Sequence, residues 1–320
     1  MPEPRAWTGP QYKYAMEKIL ITGGGGYLGA KLAGTLLSAS RDIYLMDIGF
    51  NAIAEGLFSR HPNCHKVEMD LRDAEALSEA CLRIRPDYVF HFAARIDRSR
   101  DFGIYEAMYE ANVQATLHLL RALREVDYKS FIYSGTSEVY GTRNPLPFHE
   151  AMLPQAVSPY SLTKQMAENL IRGWSGLYEK PWTIFRIFNF YGPEMPPSTF
   201  IPQLLKAIGQ GEDFEMTAGA QARDYLHIDD LLYYLRESSF RNLFPGEIVN
   251  LCSGRAVTMR EIADTILKIT GTDITIKKTL PYRANEIWEI RGDNTRLRSA
   301  FPDYEVRGIS EGLKEMLENQ

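Results

Sequence analysis

The chain has 320 residues, 45% of them hydrophobic, and a net charge of −5 from charges spread along its length. It is long enough for one large core or two moderate ones, and its acidic balance gives no electrostatic basis for binding nucleic acid. No apolar run approaches the ~20 residues of a membrane span, so no membrane association is expected.

Residues 1–17 have no apolar stretch of the secretory type and read as an N-terminal extension. Residues 18–22 are a short apolar run that enters a glycine turn, Gly23 to Gly26, followed by Tyr27, Leu28 and Gly29. A helical pattern then begins. This is the strand–turn–helix context of a dinucleotide fingerprint. The glycines fit two registers, Gly24-x-Gly26-x-x-Gly29 and Gly23-x-x-Gly26-x-x-Gly29. In either, the backbone approaches a pyrophosphate seated on the helix N-terminus. The next strand, 43–47, ends on Asp47. A carboxylate there accepts ribose hydroxyls and repels a 2′-phosphate, so NAD is expected over NADP.

Further strands are expected at 66–69, 88–92, 131–134 and 183–188, with amphipathic helical stretches at 74–84, 105–125 and 160–178 between them. This alternation predicts an α/β fold, a doubly wound parallel sheet of Rossmann type with helices on both faces. Ligands of such sheets bind beyond the carboxyl ends of the strands. Asp47, Asp70, Ala93, Ala94 and Thr136 all fall at strand ends, which predicts one continuous cofactor crevice.

Tyr160 and Lys164 are four residues apart on a predicted helix. That spacing sets both side chains on one face. An ammonium beside a phenol favours phenolate, which makes the pair a proton acceptor for a substrate hydroxyl. After a turn-rich break at 192–197 the pattern is less regular. Helices are expected at 200–208, 229–239 and 259–270, the last with Thr258 as N-cap, and a buried strand at 248–252. The expected division is a dinucleotide-binding domain, 18–190, with a segment at about 222–255 returning to it. Residues 191–320 mainly form a smaller α/β substrate domain. Cys64, Cys81 and Cys252 are an odd, scattered set, which suits a reducing cytoplasm better than a disulfide framework. His61, Cys64 and His65 are metal-ligand types, but no second cluster completes four ligands, so no metal is expected.

Together these residues resemble the extended short-chain dehydrogenase/reductase family, in its nucleotide-sugar epimerase/dehydratase branch. The resemblance spans nearly the whole chain from Lys18. Its motifs come in the family's order: Thr22-Gly23-x-x-Gly26-x-x-Gly29, Asp47, Asp70-Leu71, His91-Phe92-Ala93-Ala94, Asn112, Thr136 four before Tyr140, and Tyr160 with Lys164. Arg186, Asn189, Tyr191-Gly192-Pro193, Arg223-Asp224-Tyr225, and Arg283 with Glu286 come after them. The resemblance implies bound NAD, with Asp70 on the adenine amino group, Leu71 and Asn112 beside the cofactor, and Ala93 and Ala94 along the pyrophosphate and ribose. It implies a proton-handling triad of Thr136, Tyr160 and Lys164. It also implies a nucleoside-diphosphate sugar held by Asn189, Arg223, Arg283, Glu286 and Ser99, and a homodimer. Arg223 has a second reading, a salt bridge to its neighbour Asp224.

The reaction implied is oxidation of a sugar hydroxyl, most often at C4. Glu138 then decides the fate of the ketone. If the chain stays extended, Thr136 and Glu138 point the same way, into the pocket. A carboxylate there can remove the C5 hydrogen of a 4-ketone, which leads to 4,6-dehydration, the specific expectation. The string from Thr136 to Gly141 looks like GDP-mannose 4,6-dehydratases and also resembles UDP-glucuronate decarboxylases. A 4-epimerase and a 4-keto-6-deoxy-sugar reductase are further alternatives. A non-catalytic dinucleotide sensor is a reading of another class, but such proteins typically lose the Tyr/Lys pair.

Overall fold

The computed structural model describes residues 16–97, 99–282 and 286–318. Its first half runs β1 (Glu17–Thr22), α1 (Tyr27–Leu36), β2 (Arg41–Asp47), α2 (Ala52–Arg60), β3 (Cys64–Glu68), α3 (Ala74–Ile84) and β4 (Tyr88–His91). Then come α4 (Tyr105–Tyr109), a π-helical turn at Glu110–Gln114, α5 (Ala115–Ala122), β5 (Ser130–Thr136), a 3-10 turn at Ser137–Tyr140, α6 (Pro159–Tyr178) and β6 (Thr183–Ile187). The second half runs β7 (Asn189–Tyr191), α7 (Phe200–Gln210), β8 (Phe214–Glu215), β9 (Ala222–His227), α8 (Ile228–Phe240), β10 (Glu247–Leu251) and β11 (Ala256–Thr258). It ends with α9 (Met259–Thr270), β12 (Ile276–Lys277), β13 (Glu289–Ile290), α10 (Thr295–Ala300) and α11 (Ile309–Glu318).

Seven strands form one parallel sheet in the order β10-β6-β5-β4-β1-β2-β3. Side chains alternate along each strand, so both faces must be covered. Ile19, Ile21 and Phe90 pack with Leu32 of α1, Leu57 of α2 and Leu231 of α8 on one face. Leu20, Val89 and Phe131 pack with Leu77 of α3, Leu119 of α5 and Ile171 of α6 on the other. The chain builds outward from β1 towards β3, and outward from β4 the other way. The switch point therefore lies between β1 and β4, where such sheets bind ligands. Paired there are Thr22 and His91, the residues that end the two strands.

Of the remaining strands, β9 pairs with β7, β11 and β13 in a small sheet, and β8 pairs with β12 apart from it. Leu204, Ile262, Ile266, Leu313 and Met316 fill a separate core beneath it. Of the segment at 222–255, α8 and β10 join the large sheet, while β9 belongs to the small one. Asp224 ties the two together. Its buried carboxylate accepts hydrogen bonds from Ser253 N at 2.8 Å, Ser253 Oγ at 2.6 Å, Gly254 N at 3.0 Å and Gly292 N at 3.2 Å. Thr258 caps α9 through a reciprocal pair with Glu261, as the sequence predicts.

Candidate active site

A cleft of about 1240 Å³ runs over the carboxyl ends of the large sheet and under the small one. Gly23, Gly26, Tyr27, Leu28 and Gly29 line one end. Gly23 has φ +71°, and a side chain there would put Cβ 2.5 Å from Ala93 N. A Cβ on Gly29 would lie 2.4 Å from Gly23 O. The glycines are therefore required by close approach of backbone to backbone. Gly26 caps α1 without a side-chain bond, which leaves the helix N-terminus facing the cleft. That is the donor set a pyrophosphate needs. The turn fits a dinucleotide.

Asp47 lines the cleft at the end of β2, its carboxylate accepting from Gly25 N at 3.0 Å and Ile48 N at 2.7 Å. Asp70 and Leu71 follow at the end of β3. Arg72 grips the Asp70 carboxylate at 2.6 Å and holds it below the usual carboxylate range. Ala93 and Ala94 line the floor. Asn112 does not line it. It is buried in the π-helical turn, where Oδ1 accepts from Arg95 N at 2.8 Å and Nδ2 donates to Arg95 O and to Thr163 Oγ1, both at 3.1 Å. Asn112 thus fastens the end of β4 to the helix that carries Lys164. Ser99 also lies off the cleft, accepting from Asp101 N at 3.0 Å, whereas Arg95 and Arg100 of the same loop face it.

At the centre are Thr136, Ser137, Glu138, Tyr160 and Lys164. Pro159 at the first helical position and a Ser158–Ser161 capping box start α6, which fixes Tyr160 in its first turn. The chain beyond Thr136 is not extended as expected. Thr136 Oγ1 accepts from Glu138 N at 3.3 Å and turns the backbone into the 3-10 segment. Thr136 and Glu138 still share the cleft, but Ser137 joins them, so strand alternation is not the reason.

Lys164 is only 1% exposed, and its ammonium lies 4.1 Å from the centroid of the Tyr133 ring. Burial pushes it down to about 7, against the raising effect of Glu168. His91 lies behind it. Thr116 Oγ1 donates to Asn112 O at 2.6 Å, so it accepts from His91 Nε2 at 2.9 Å, and His91 Nδ1 accepts from Thr22 Oγ1 at 2.6 Å. Burial, then the Lys164 charge, hold His91 down at about 3, which keeps it neutral. Neither Tyr133 nor Glu168 carried a motif; the packing of α6 on β5 brings Tyr133 beneath Lys164, and Glu168 stands one turn beyond Lys164 on α6.

At the far end, Asn189 of β7, Arg223 of β9 and Glu286 line the cleft. Arg223 does not pair with Asp224, whose oxygens are taken up by the backbone and hydroxyl donors around it. Arg223 instead bonds Glu286 Oε1 at 3.0 Å and Ile287 O at 2.7 Å. Arg283 lies outside the described residues. His65, from the apparent metal cluster, pairs with Asp42 at 3.0 Å.

The sequence model of the NAD dependent epimerase/dehydratase family matches residues 19–251. The low-salt glycan biosynthesis protein Agl12 of Haloferax volcanii is 30% identical over 262 residues, covering 79% of this chain and 82% of that protein. A UDP-glucose 4-epimerase of Mycoplasma pneumoniae is 30% identical over 234 residues, covering 67% and 69%. A dTDP-glucose 4,6-dehydratase of Bacillus anthracis, solved with NAD, superposes with a TM-score of 0.82 at 23% identity, covering 94% and 96%. The chain belongs to the NAD-dependent epimerase/dehydratase family, and it is an NAD-using enzyme of the nucleotide-sugar branch of the extended short-chain dehydrogenases/reductases.

Proposed function

We propose that the enzyme transiently oxidises C4 of a nucleoside-diphosphate sugar and returns the hydride to the same molecule. The observation that carries this is the meeting of Tyr160, Lys164 and Thr136 in the cleft that begins at the glycine turn. Bound NAD supplies the hydride acceptor and donor. Tyr160 takes the proton of the C4 hydroxyl, and Thr136 shares that hydrogen bond. The Lys164 ammonium stabilises the phenolate. Asn189 and Arg223, with Arg283 and Glu286, hold the diphosphate and the groups beside it, as guanidinium geometry suits.

Glu138 sets the outcome. Glu138 borders the same cleft as Thr136, which supports removal of the C5 hydrogen, loss of the C6 hydroxyl as water and return of the hydride to C6, the course of 4,6-dehydration. The likeness to the Mycoplasma pneumoniae epimerase supports a second reading, 4-epimerisation. Purified enzyme should be given UDP-glucose, dTDP-glucose, GDP-mannose and UDP-glucuronate in turn. A 4-keto-6-deoxy product supports dehydration, and a C4 epimer supports the second reading. No product from any of the four would sink the proposed chemistry.

A homodimer is the assembly we propose. Tyr109 on α4 and Leu177 and Tyr178 on α6 are exposed apolar residues on two helices that pack together. Sedimentation as a monomer at every concentration tested would overturn it.

A further inference from the structure

Lys164 and Glu168 are one turn apart on α6, and both are buried, at 1% and 2% exposure. A buried ammonium is costly unless a counter-charge supports it. Among the described residues the titratable groups facing Lys164 are few. Its own helix contributes Tyr160 and Glu168. Tyr133 of β5 lies beneath its ammonium, His91 of β4 lies behind, and Arg186 of β6 reaches it only through Glu168. His91 is neutral, and burial raises Tyr133 well above its ordinary value, so it is neutral too. Among the described residues Glu168 is the one carboxylate acting on Lys164.

Glu168 is held from the other side. Arg186 Nη2 donates to Oε2 at 2.8 Å, and Nε lies 3.3 Å from both carboxylate oxygens. The guanidinium rests 4.8 Å from the centroid of the Tyr140 ring. A Cβ at Gly135 would lie 2.8 Å from Glu168 Oε1. The glycine before Thr136 is therefore what admits the carboxylate beneath the reacting strand. The buried charges are two cations and one anion. Without the anion, Arg186 would be the charge left beside Lys164 among the described residues.

We infer that Glu168, fixed by Arg186, is a positioning residue that keeps Lys164 charged at the reaction centre. The inference rests on Tyr160 and Lys164 being the reacting pair proposed above. A Glu–Arg pair that only pinned α6 to β6 would leave the protonation of Lys164 unchanged, and that difference is measurable.

The test is a pH titration of 13C-lysine-labelled protein by NMR, with the Lys164 signal assigned by its loss in Lys164→Met. It needs no substrate. In Glu168→Gln, which keeps the shape and can still accept from Arg186, the proton affinity of Lys164 should fall about tenfold or more, the scale of removing one close opposite charge. Removing the anion also favours the Tyr160 phenolate. Both limbs of the turnover–pH profile should therefore move towards acid, measured with whichever of the four sugar nucleotides the wild type converts. If Glu168→Gln does not fold, Glu168→Gln/Arg186→Gln also removes the guanidinium that the single variant leaves without its partner, and Lys164 should show a smaller fall in the same direction, because the farther cation goes with the nearer anion. Lys164 titrating as in the wild type in either variant would overturn the inference. So would failure of both to fold, which would make the pair a structural clamp. Normal turnover by Tyr160→Phe would instead sink the reacting pair itself, a result separate from the lysine titration.

Discussion

Tyr160 and Lys164 stand in the first two turns of a capped helix, with a buried floor of Tyr133 and His91 beneath them. If Tyr160 moves the C4 proton, Tyr160→Phe should lose about 10²–10⁴ in turnover while NAD titrations stay unchanged. His91 gives a prediction about stability. Its ordinary value is 6.5, and the fold holds it at about 3. The unfolded chain therefore gains a proton below about 6.5 that the folded chain refuses, so this contribution is whole above that pH and is lost as pH falls towards 3. Urea midpoints should drop on acidification, and His91→Gln should flatten the slope. An unchanged slope would show that other groups govern the acid transition. The Tyr160–Lys164 pair was legible because helical spacing alone puts them together. Tyr133 was not, since it reaches Lys164 only because β5 packs beneath α6; Glu168 stands four residues beyond Lys164, but the Arg186 that holds it comes from β6, beside β5.

Had β5 run on from Thr136 to Glu138, both side chains would have pointed into the pocket by alternation. The Thr136 hydroxyl captured the Glu138 amide and ended the strand, the way serine and threonine compete with regular structure. The strands themselves were readable from apolar runs, because a sheet covered on both faces buries every side chain of its central members. Glu138 still borders the cleft, so its role can be tested. If it is the C5 base, Glu138→Gln should still form the 4-ketone, but the dehydrated product should fall by ~10² or more. The wild type in deuterated water should then label C5. An unlabelled C5, with normal turnover by the variant, would favour the epimerase reading.

At the scale of the whole molecule, one carboxylate links the two sheets. Removing Asp224 leaves several donors without acceptors, each costing about 1–3 kcal/mol when buried. Asp224→Ala should therefore lower the unfolding free energy in urea by at least about 3 kcal/mol; a loss below about 1 kcal/mol would show that the surrounding donors find other partners. The irregular second half was harder to read because β8, β11, β12 and β13 have only two or three residues each, too short for a hydrophobic period to emerge.

The two outer strands of the large sheet have a further consequence. On β10, Ile248 O accepts from Arg296 at 3.2 Å, and Asn250 N donates to Glu150 at 2.9 Å. On β3, Lys66 is bound to Glu55 at 3.0 Å and to Glu68 at 3.4 Å. One border has two backbone groups already engaged, and the other presents paired charges, features that deter strand-to-strand aggregation. Both features make the sheet a poor template for a second copy to extend. Self-association is therefore expected through helices, and crowding the protein at high concentration should yield discrete particles and not fibres.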